Sequence, residues 1–354
     1  MAFLSIKNVT LRGVAACVPK NVEVNTENPL LNKDEIEKFI ETTGIKKRHC
    51  VPRDGIQCTS DLCFASAEKL IYDLKWERSE IGLLVFVSHT ADYKLPSTSC
   101  ILQNRLGLSN ECMTFDVPYG CSGYVYGLGL ASNLLSSGTI KKALVLVGNT
   151  QSIYASPEDR STTLLFGDAG TATALEFDPY NNDSIDCHYA TDGAKYDILI
   201  VPDGGCRNPV NKKSFVMEEF NEGIKRTRLH EIMDGAEVFT FTLLHVPNSI
   251  KKLIKEFYID KENIDYLLLH QANRFLCEKI RKKMEFSPEK VPYNIENFGN
   301  TSGASIPLLM VTSINEALCN RNLELLLAGF GVGLSIGSIH IKTKKIVCSE
   351  LLYL

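Results

Sequence analysis

The chain reads as an α/β protein assembled from two related halves, and three observations lead there. Apolar strand-like runs alternate with helical stretches along its 354 residues, the pattern of a layered α/β architecture. That length exceeds the roughly 250–300 residues at which a single core stops growing, so two domains or two fused halves are expected. Segments of the first half also recur, in order, in the second. The offset is 183 between 80–85 and 263–268 (264 minus 81), 178 between 115–117 and 293–295, 179 between 120–122 and 299–301, and 181 between 146–148 and 327–329. Four short matches at nearly one spacing indicate internal duplication.

The elements follow from local pattern. Strands are expected at Ile81–Val87, 114–117, 143–147, 171–177, Tyr266–Leu269 and 323–328, each a short apolar run rich in Val, Ile and Leu. Helices are expected at 61–74 with Ser60 as cap, at 122–137 ending on Gly138, and at 236–257 with an interruption at Pro247. The stretches 178–195 and 203–213 are polar and read as loops, which puts a boundary near 178 and the halves at 1–177 and 178–354.

Composition excludes several classes. Hydrophobic residues are 44% and charged residues 23%, ordinary for a globular protein. A formal charge of −4 offers no bulk attraction to nucleic acid or an anionic membrane, and neither is expected as a partner. The first residues carry Lys7 and Arg12 inside their apolar stretch, unlike a secretory leader, and no run reaches the ~18 apolar residues of a membrane span. Twelve cysteines without a framework, and a Cys58–Cys63 spacing wrong for zinc, point to a reducing cytoplasm and no metal site.

One cysteine has a distinctive address. Cys121 lies in Phe115-Asp116-Val117-Pro118-Tyr119-Gly120-Cys121-Ser122-Gly123, where a strand ends and a helix begins. Unpaired N–H groups and the positive end of the helix dipole there favour a thiolate, the nucleophilic form. Taken singly, a free cysteine is more often a small buried hydrophobe. His270 stands where the run 267–269 stops, and strand ends are where α/β folds place reactive groups; a lone histidine is more often a structural hydrogen-bonding group. Asn300, in a turn of small residues, taken alone would be a helix cap. The segment Gly329-Phe330-Gly331-Val332-Gly333 misses the dinucleotide-binding spacing and leads into a strand, but its backbone can approach a ligand closely, as an oxyanion hole requires.

Together, Gly120-Cys121-Ser122-Gly123, His270-Gln271-Ala272-Asn273, Gly299-Asn300-Thr301-Ser302-Gly303-Ala304-Ser305 and the 329–333 turn resemble the active-site blocks of β-ketoacyl-acyl carrier protein synthase III in the thiolase superfamily. The similarity runs nearly end to end and includes Thr43-Gly44-Ile45, Leu95-Pro96-Ser97 and Phe166-Gly167-Asp168-Ala169-Gly170.

The resemblance implies a thiolase-like five-layer α-β-α-β-α sandwich of two duplicated halves, working as a homodimer. It implies decarboxylative Claisen condensation: Cys121 carries the acyl group, His270 and Asn300 stabilise the enolate, and backbone N–H groups of Cys121, Val332 and Gly333 hold the oxyanion. Substrates would be phosphopantetheine thioesters, delivered by acyl carrier protein or CoA, with no permanently bound cofactor. Leu95 would bound the acyl pocket across the dimer, and Arg160, Lys282 and Lys283 would meet the carrier or CoA. The chain departs from that family at Lys38-Phe39-Ile40-Glu41-Thr42, where CoA-primed members have Trp and Arg, at Ile336, where many have Trp, and at Leu95, where a Phe is usual. Competing readings are acyl transfer from Cys121 to an oxygen or nitrogen nucleophile, use of a non-malonyl donor, and a non-catalytic carrier-binding subunit.

Overall fold

The computed structural model describes residues 2–221 and 223–354. Two sheets form its frame. The first runs in the order Val347–Cys348, Val9–Val18, Ala169–Phe177, Lys142–Asn149, Ile81–Val87, Met113–Val117, with Leu352–Tyr353 also paired to Val9–Val18. The second runs Ala2–Ile6, Ile185–Thr191, Ser335–Thr343, Leu323–Gly331, Tyr266–Leu269.

The duplication appears in the pairing. Lys142–Asn149 lies parallel to Ile81–Val87 and antiparallel to Ala169–Phe177, which is antiparallel to Val9–Val18. Leu323–Gly331 repeats the pattern, parallel to Tyr266–Leu269 and antiparallel to Ser335–Thr343, which is antiparallel to Ile185–Thr191. One proposed match does not repeat: 115–117 is an edge strand, whereas its counterpart 293–295 is irregular and enters the short helix Ile295–Phe298.

Helices make the other three layers. Thr59–Leu74 and Thr98–Arg105 cover the outer face of the first sheet, and Gly235–Glu256 with Arg274–Lys283 covers that of the second. Gly123–Leu135 and Ser305–Ser313 lie between the sheets, giving the α-β-α-β-α sandwich. The central helix can sit there because it is apolar all round and locally thin. Gly127 presses on Val87 and Val145 of the first sheet, and Gly129 on Tyr189 and Cys187 of the second, with no room for a Cβ at either.

Three expectations change. Ser60 does not cap the helix at 61–74; the helix begins at Thr59, the Asp61 carboxylate accepts the Cys58 N–H at 2.9 Å, and Ser60 Oγ instead accepts from Arg105. Pro247 does not interrupt Gly235–Glu256. Proline leaves the carbonyl four residues earlier without its N–H partner, and Lys283 Nζ donates to that Leu243 oxygen at 3.0 Å. The polar stretch 178–195 contains the strand Ile185–Thr191. Its polar side chains are partnered: Asp186 accepts from Ser5 on the neighbouring strand and from Ser184, and His188 Nδ1 pairs with Ser249 of the covering helix at 2.8 Å. Paired polar groups are compatible with a buried strand.

The boundary near 178 falls where the chain leaves the first sheet for the second, yet the ends cross it. Ala2–Ile6 belongs to the second sheet and 347–353 to the first. Among the described residues no helix is long and apolar enough to cross a membrane.

Candidate active site

Cys121 occupies the turn between the Met113–Val117 strand and the Gly123–Leu135 helix, closed by a Gly123 N–H to Gly120 carbonyl bond of 2.7 Å. Ser122 Oγ, 2.7 Å from Ser335 Oγ, ties the helix start to the second sheet. The thiol is 8% exposed. The 329–333 turn lies against it: a Cβ on Gly331, whose φ is 152°, would stand 2.5 Å from Cys121 Cβ and 2.8 Å from its Sγ. Backbone hydrogen bonds from Val332 and from Cys121 itself reach the sulfur.

These contacts favour the thiolate, as the helix-end address predicts, but they do not win. Burial pushes the Cys121 thiol above its ordinary value, outweighing the hydrogen bonds from Ser302, Val332 and its own N–H, and the Glu231 charge adds to the rise. The resting group is therefore a thiol. Alkylation of Cys121 by iodoacetamide is expected to be slow at neutral pH and to accelerate as pH rises past 9.0, the ordinary thiol value. A rate already at its plateau at neutral pH would contradict this.

His270 terminates Tyr266–Leu269 and is 1% exposed. Its Nδ1 lies 2.7 Å from Ser305 Oγ, which also accepts the Gln271 N–H at 3.4 Å. The serine oxygen has a second lone pair and a proton, so this pair forms with either ring tautomer. Burial holds the imidazole down at about 3, against the upward pull of a backbone hydrogen bond at Ser302. At working pH His270 is a neutral donor.

Asn300 is 8% exposed and sits in a bridge to Phe166, with its N–H on the Leu165 carbonyl at 2.9 Å and its carbonyl accepting from Gly167 at 3.1 Å. Its Oδ1 accepts the Ser302 N–H at 2.9 Å. That bond fixes the amide orientation and directs Nδ2 away as a donor, which no group among the described residues accepts.

Ser302 joins the three. Its Oγ is 3.7 Å from Cys121 Sγ, its N–H holds Asn300, and its backbone bonds the His270 ring. It adopts φ of 50°, a conformation costly for a residue with a side chain and common at functional sites. Sequence reasoning placed Ser302 in the motif without a role; its strained backbone leaves no mark in the sequence. Asn273 caps Arg274–Lys283 by accepting the Leu276 N–H at 2.8 Å. Asp168 holds the Val51 and Ser152 N–H groups at 2.7 and 3.0 Å, and burial raises its carboxyl to about 6.

Above Cys121 opens a cavity of about 680 Å³, reached by Ser302, Val332 and Gly333 on one side and by Gln151, Tyr154, Phe166 and Glu231 on the other. His270 and Asn300 are not among the residues that line it. His89, without motif support in the sequence, also lines it, and its ring lies against Gly120.

The remaining candidates are dispersed. Leu95 is 83% exposed and does not line its own chain's cavity. Arg160 is bonded to Glu35 at 3.2 Å and Lys283 to Leu243, whereas Lys282 makes no ion pair or hydrogen bond among the described residues. Ile336 is buried in the outer core of the second sheet.

Comparisons with known proteins give the family. Residues 115–193 match the family model for 3-oxoacyl-[acyl-carrier-protein (ACP)] synthase III, and residues 254–343 match the model for its C-terminal part. The chain is 33% identical over 331 residues to beta-ketoacyl-[acyl-carrier-protein] synthase III of Streptococcus agalactiae, covering 93% of this chain and 97% of the relative. It is 31% identical over 346 residues to the protein of the same name from Clostridium perfringens, covering 95% and 100%. The crystal structure of a 3-oxoacyl-(acyl-carrier protein) synthase from Burkholderia xenovorans superposes with a TM-score of 0.92 at 34% identity, covering 100% of this chain and 99% of that one. With its paired sheets, its Cys121 turn and relatives of that name along nearly its whole length, this chain belongs to the beta-ketoacyl-acyl carrier protein synthase III family.

Proposed function

We propose that this enzyme forms a carbon–carbon bond by decarboxylative Claisen condensation of an acyl thioester with a malonyl-type unit on an acyl carrier protein, in fatty-acid synthesis. The observation that carries the residue roles is the meeting of Cys121, His270 and Asn300 at one turn, with Asn300 Nδ2 left as a free donor.

In the first half-reaction Cys121 Sγ attacks the thioester carbonyl. The carrier sulfur leaves and takes the thiol proton, while N–H groups of Cys121, Val332 and Gly333 face the developing oxyanion. In the second, a malonyl-type thioester loses CO₂. His270 Nε2–H and Asn300 Nδ2 donate to its carbonyl oxygen as the electron pair moves onto it. The enolate carbon then attacks the acyl carbon, and Cys121 sulfur leaves and regains one proton from solvent. A neutral His270 suits this step, because hydrogen-bond donation rather than proton transfer is required.

Intact-mass spectrometry tests the reading. Incubation with acyl thioesters is expected to add one acyl mass to the wild type and none to Cys121→Ala, and malonyl carrier should then release CO₂ and a β-ketoacyl product. The same adduct on Cys121→Ala would sink it.

Carrier docking is assigned to the end of the Arg274–Lys283 helix, where Lys282 is the unpaired cation of the three candidates, Arg160 and Lys283 being already engaged. Lys282→Glu is expected to raise KM for the carrier substrate and leave loading from small thioesters unchanged; equal effects on both would remove Lys282 from the docking face. We also assign a homodimer. Met113–Val117 is an open edge of the first sheet, just before the Cys121 turn, and carries the exposed Met113. An uncovered apolar edge strand invites pairing, and sedimentation velocity should report twice the chain mass rather than a monomer.

A further inference from the structure

Ile81–Val87 and Met113–Val117 lie parallel with Val87 beside Val117, so the residues after each strand emerge at the same end of the first sheet. Cys121 follows the second strand and His89 the first. The His89 backbone is pinned by its N–H on Asn149 Oδ1 at 2.9 Å, and its half-buried ring lines the cavity together with Cys121. The Nδ1–Cε1 edge of that ring packs on Gly120, 2.9 and 3.0 Å from where a Cβ there would stand.

The tautomer of His89 is fixed by its surroundings. Nε2 is 3.1 Å from the Pro118 carbonyl oxygen, which can only accept, so the neutral ring carries its proton on Nε2. The lone pair is then on Nδ1, which bonds no group among the described residues and, unlike Glu231 Oε1 and Gln151 Oε1, is not sealed from water. Burial lowers the imidazole below its ordinary 6.5, and this keeps it in the basic form at neutral pH. The other ionisable groups around Cys121 do not offer such a nitrogen or oxygen. Glu231 has one carboxylate oxygen on Gln151 and the other sealed, and His270 is off the cavity with Nδ1 on Ser305. Neither ring nitrogen of His89 bonds Cys121 Sγ, so Nδ1 serves what enters the cavity rather than the sulfur.

We propose that the enzyme has a second activity, hydrolysis of its own acyl-Cys121 thioester, with His89 as the general base. This rests on the reading of Cys121 as the acyl carrier. Water bonded to Nδ1 attacks the acyl carbon, forming the new C–O bond while Nδ1 takes one of its protons. The N–H groups of Cys121, Val332 and Gly333 face this oxyanion as they do the one formed in loading. The C–S bond then breaks, and His89 returns the proton to the Cys121 sulfur. The products are a free carboxylic acid and the resting thiol, with nothing oxidised or reduced. Nε2–H stays on the Pro118 carbonyl throughout, so the imidazolium formed in passing keeps its orientation. Acyl groups that meet no malonyl-type partner thereby leave the enzyme instead of blocking it.

The test starts from wild type, His89→Asn and His89→Phe, each loaded from hexanoyl-pantetheine and freed of excess thioester by gel filtration, with no malonyl carrier added. Intact mass and released hexanoic acid are then followed in time. Wild type is expected to lose its adduct with an equal yield of acid. Both variants should hold the adduct about 100-fold longer or more, the usual worth of a positioned general base. A wild-type adduct that persists, or one that decays as fast in the variants, overturns the inference. If wild type takes up no acyl group at all, the acyl-enzyme reading falls first, and this inference with it. Persistence of the wild-type adduct is decisive even should a variant fail to fold, and His89→Asn retains a polar side chain where His89→Phe does not.

Discussion

Alanine at His270 or at Asn300 is expected to leave loading of Cys121 nearly intact while slowing carbon–carbon bond formation by about 100- to 1,000-fold each, the usual loss for one oxyanion donor. Neither side chain lines the cavity beside Cys121. Each also has one polar atom already committed: Nδ1 of His270 to Ser305, and Oδ1 of Asn300 to Ser302. What remains is Nδ2 of Asn300 and the ring N–H of His270 that the Ser302 backbone engages, both turning to an oxygen that gains charge. The acyl-enzyme should therefore accumulate in both variants, visible by intact mass, while CO₂ release from malonyl carrier falls. Parallel losses in loading and condensation would show that these residues shape Cys121 rather than the enolate. The effect should not depend on pH through the neutral range, since His270 is held near 3 and does not titrate there.

Gly331→Ala is expected to reduce acylation by roughly a hundredfold or more while the protein remains folded. The added methyl would overlap Cys121 itself at 2.5 and 2.8 Å, and the φ of 152° is one that a residue with a side chain rarely adopts. Overpacking of this kind costs about 1–3 kcal/mol, and the backbone must shift to relieve it. That shift moves the Val332 N–H away from the sulfur, so the cost falls on the oxyanion. Circular dichroism and thermal melting separate the two possibilities: a lowered rate with a near-native transition supports the geometry, whereas loss of the transition would mean that Gly331 serves folding alone.

Much of this site was legible in the sequence because its chemistry is written in local blocks. Cys121, His270 and Asn300 each stand at the end of a strand pattern or in a small-residue turn, and the repeat offset pointed to Asn300 as the counterpart of Cys121. The protonation state of Cys121 was not legible. Helix-end geometry is a local property, but burial depends on everything packed above the turn, and there it prevails. Glu231 and Gln151 were missed for the same reason: they meet across 80 residues, and neither lies in a motif. The strand Ile185–Thr191 was hidden by Asp186 and His188, whose partners Ser5 and Ser249 come from distant segments. Pro247 broke a helical pattern on paper because the lysine that donates to the freed carbonyl belongs to another helix.

The crossing of the chain ends bears on how the molecule can be made. Ala2–Ile6 completes the sheet of the second half, and 347–353 completes that of the first. Neither half contains all the strands of its own sheet, so a cut at the boundary would yield two fragments, each with a bared strand edge, rather than two foldable modules. Contacts so distant in sequence form late and make folding slow. The first sheet waits, during synthesis, for residues 347–353, which follow the whole second sheet, and the duplicated ancestry of the fold survives as a single cooperative unit.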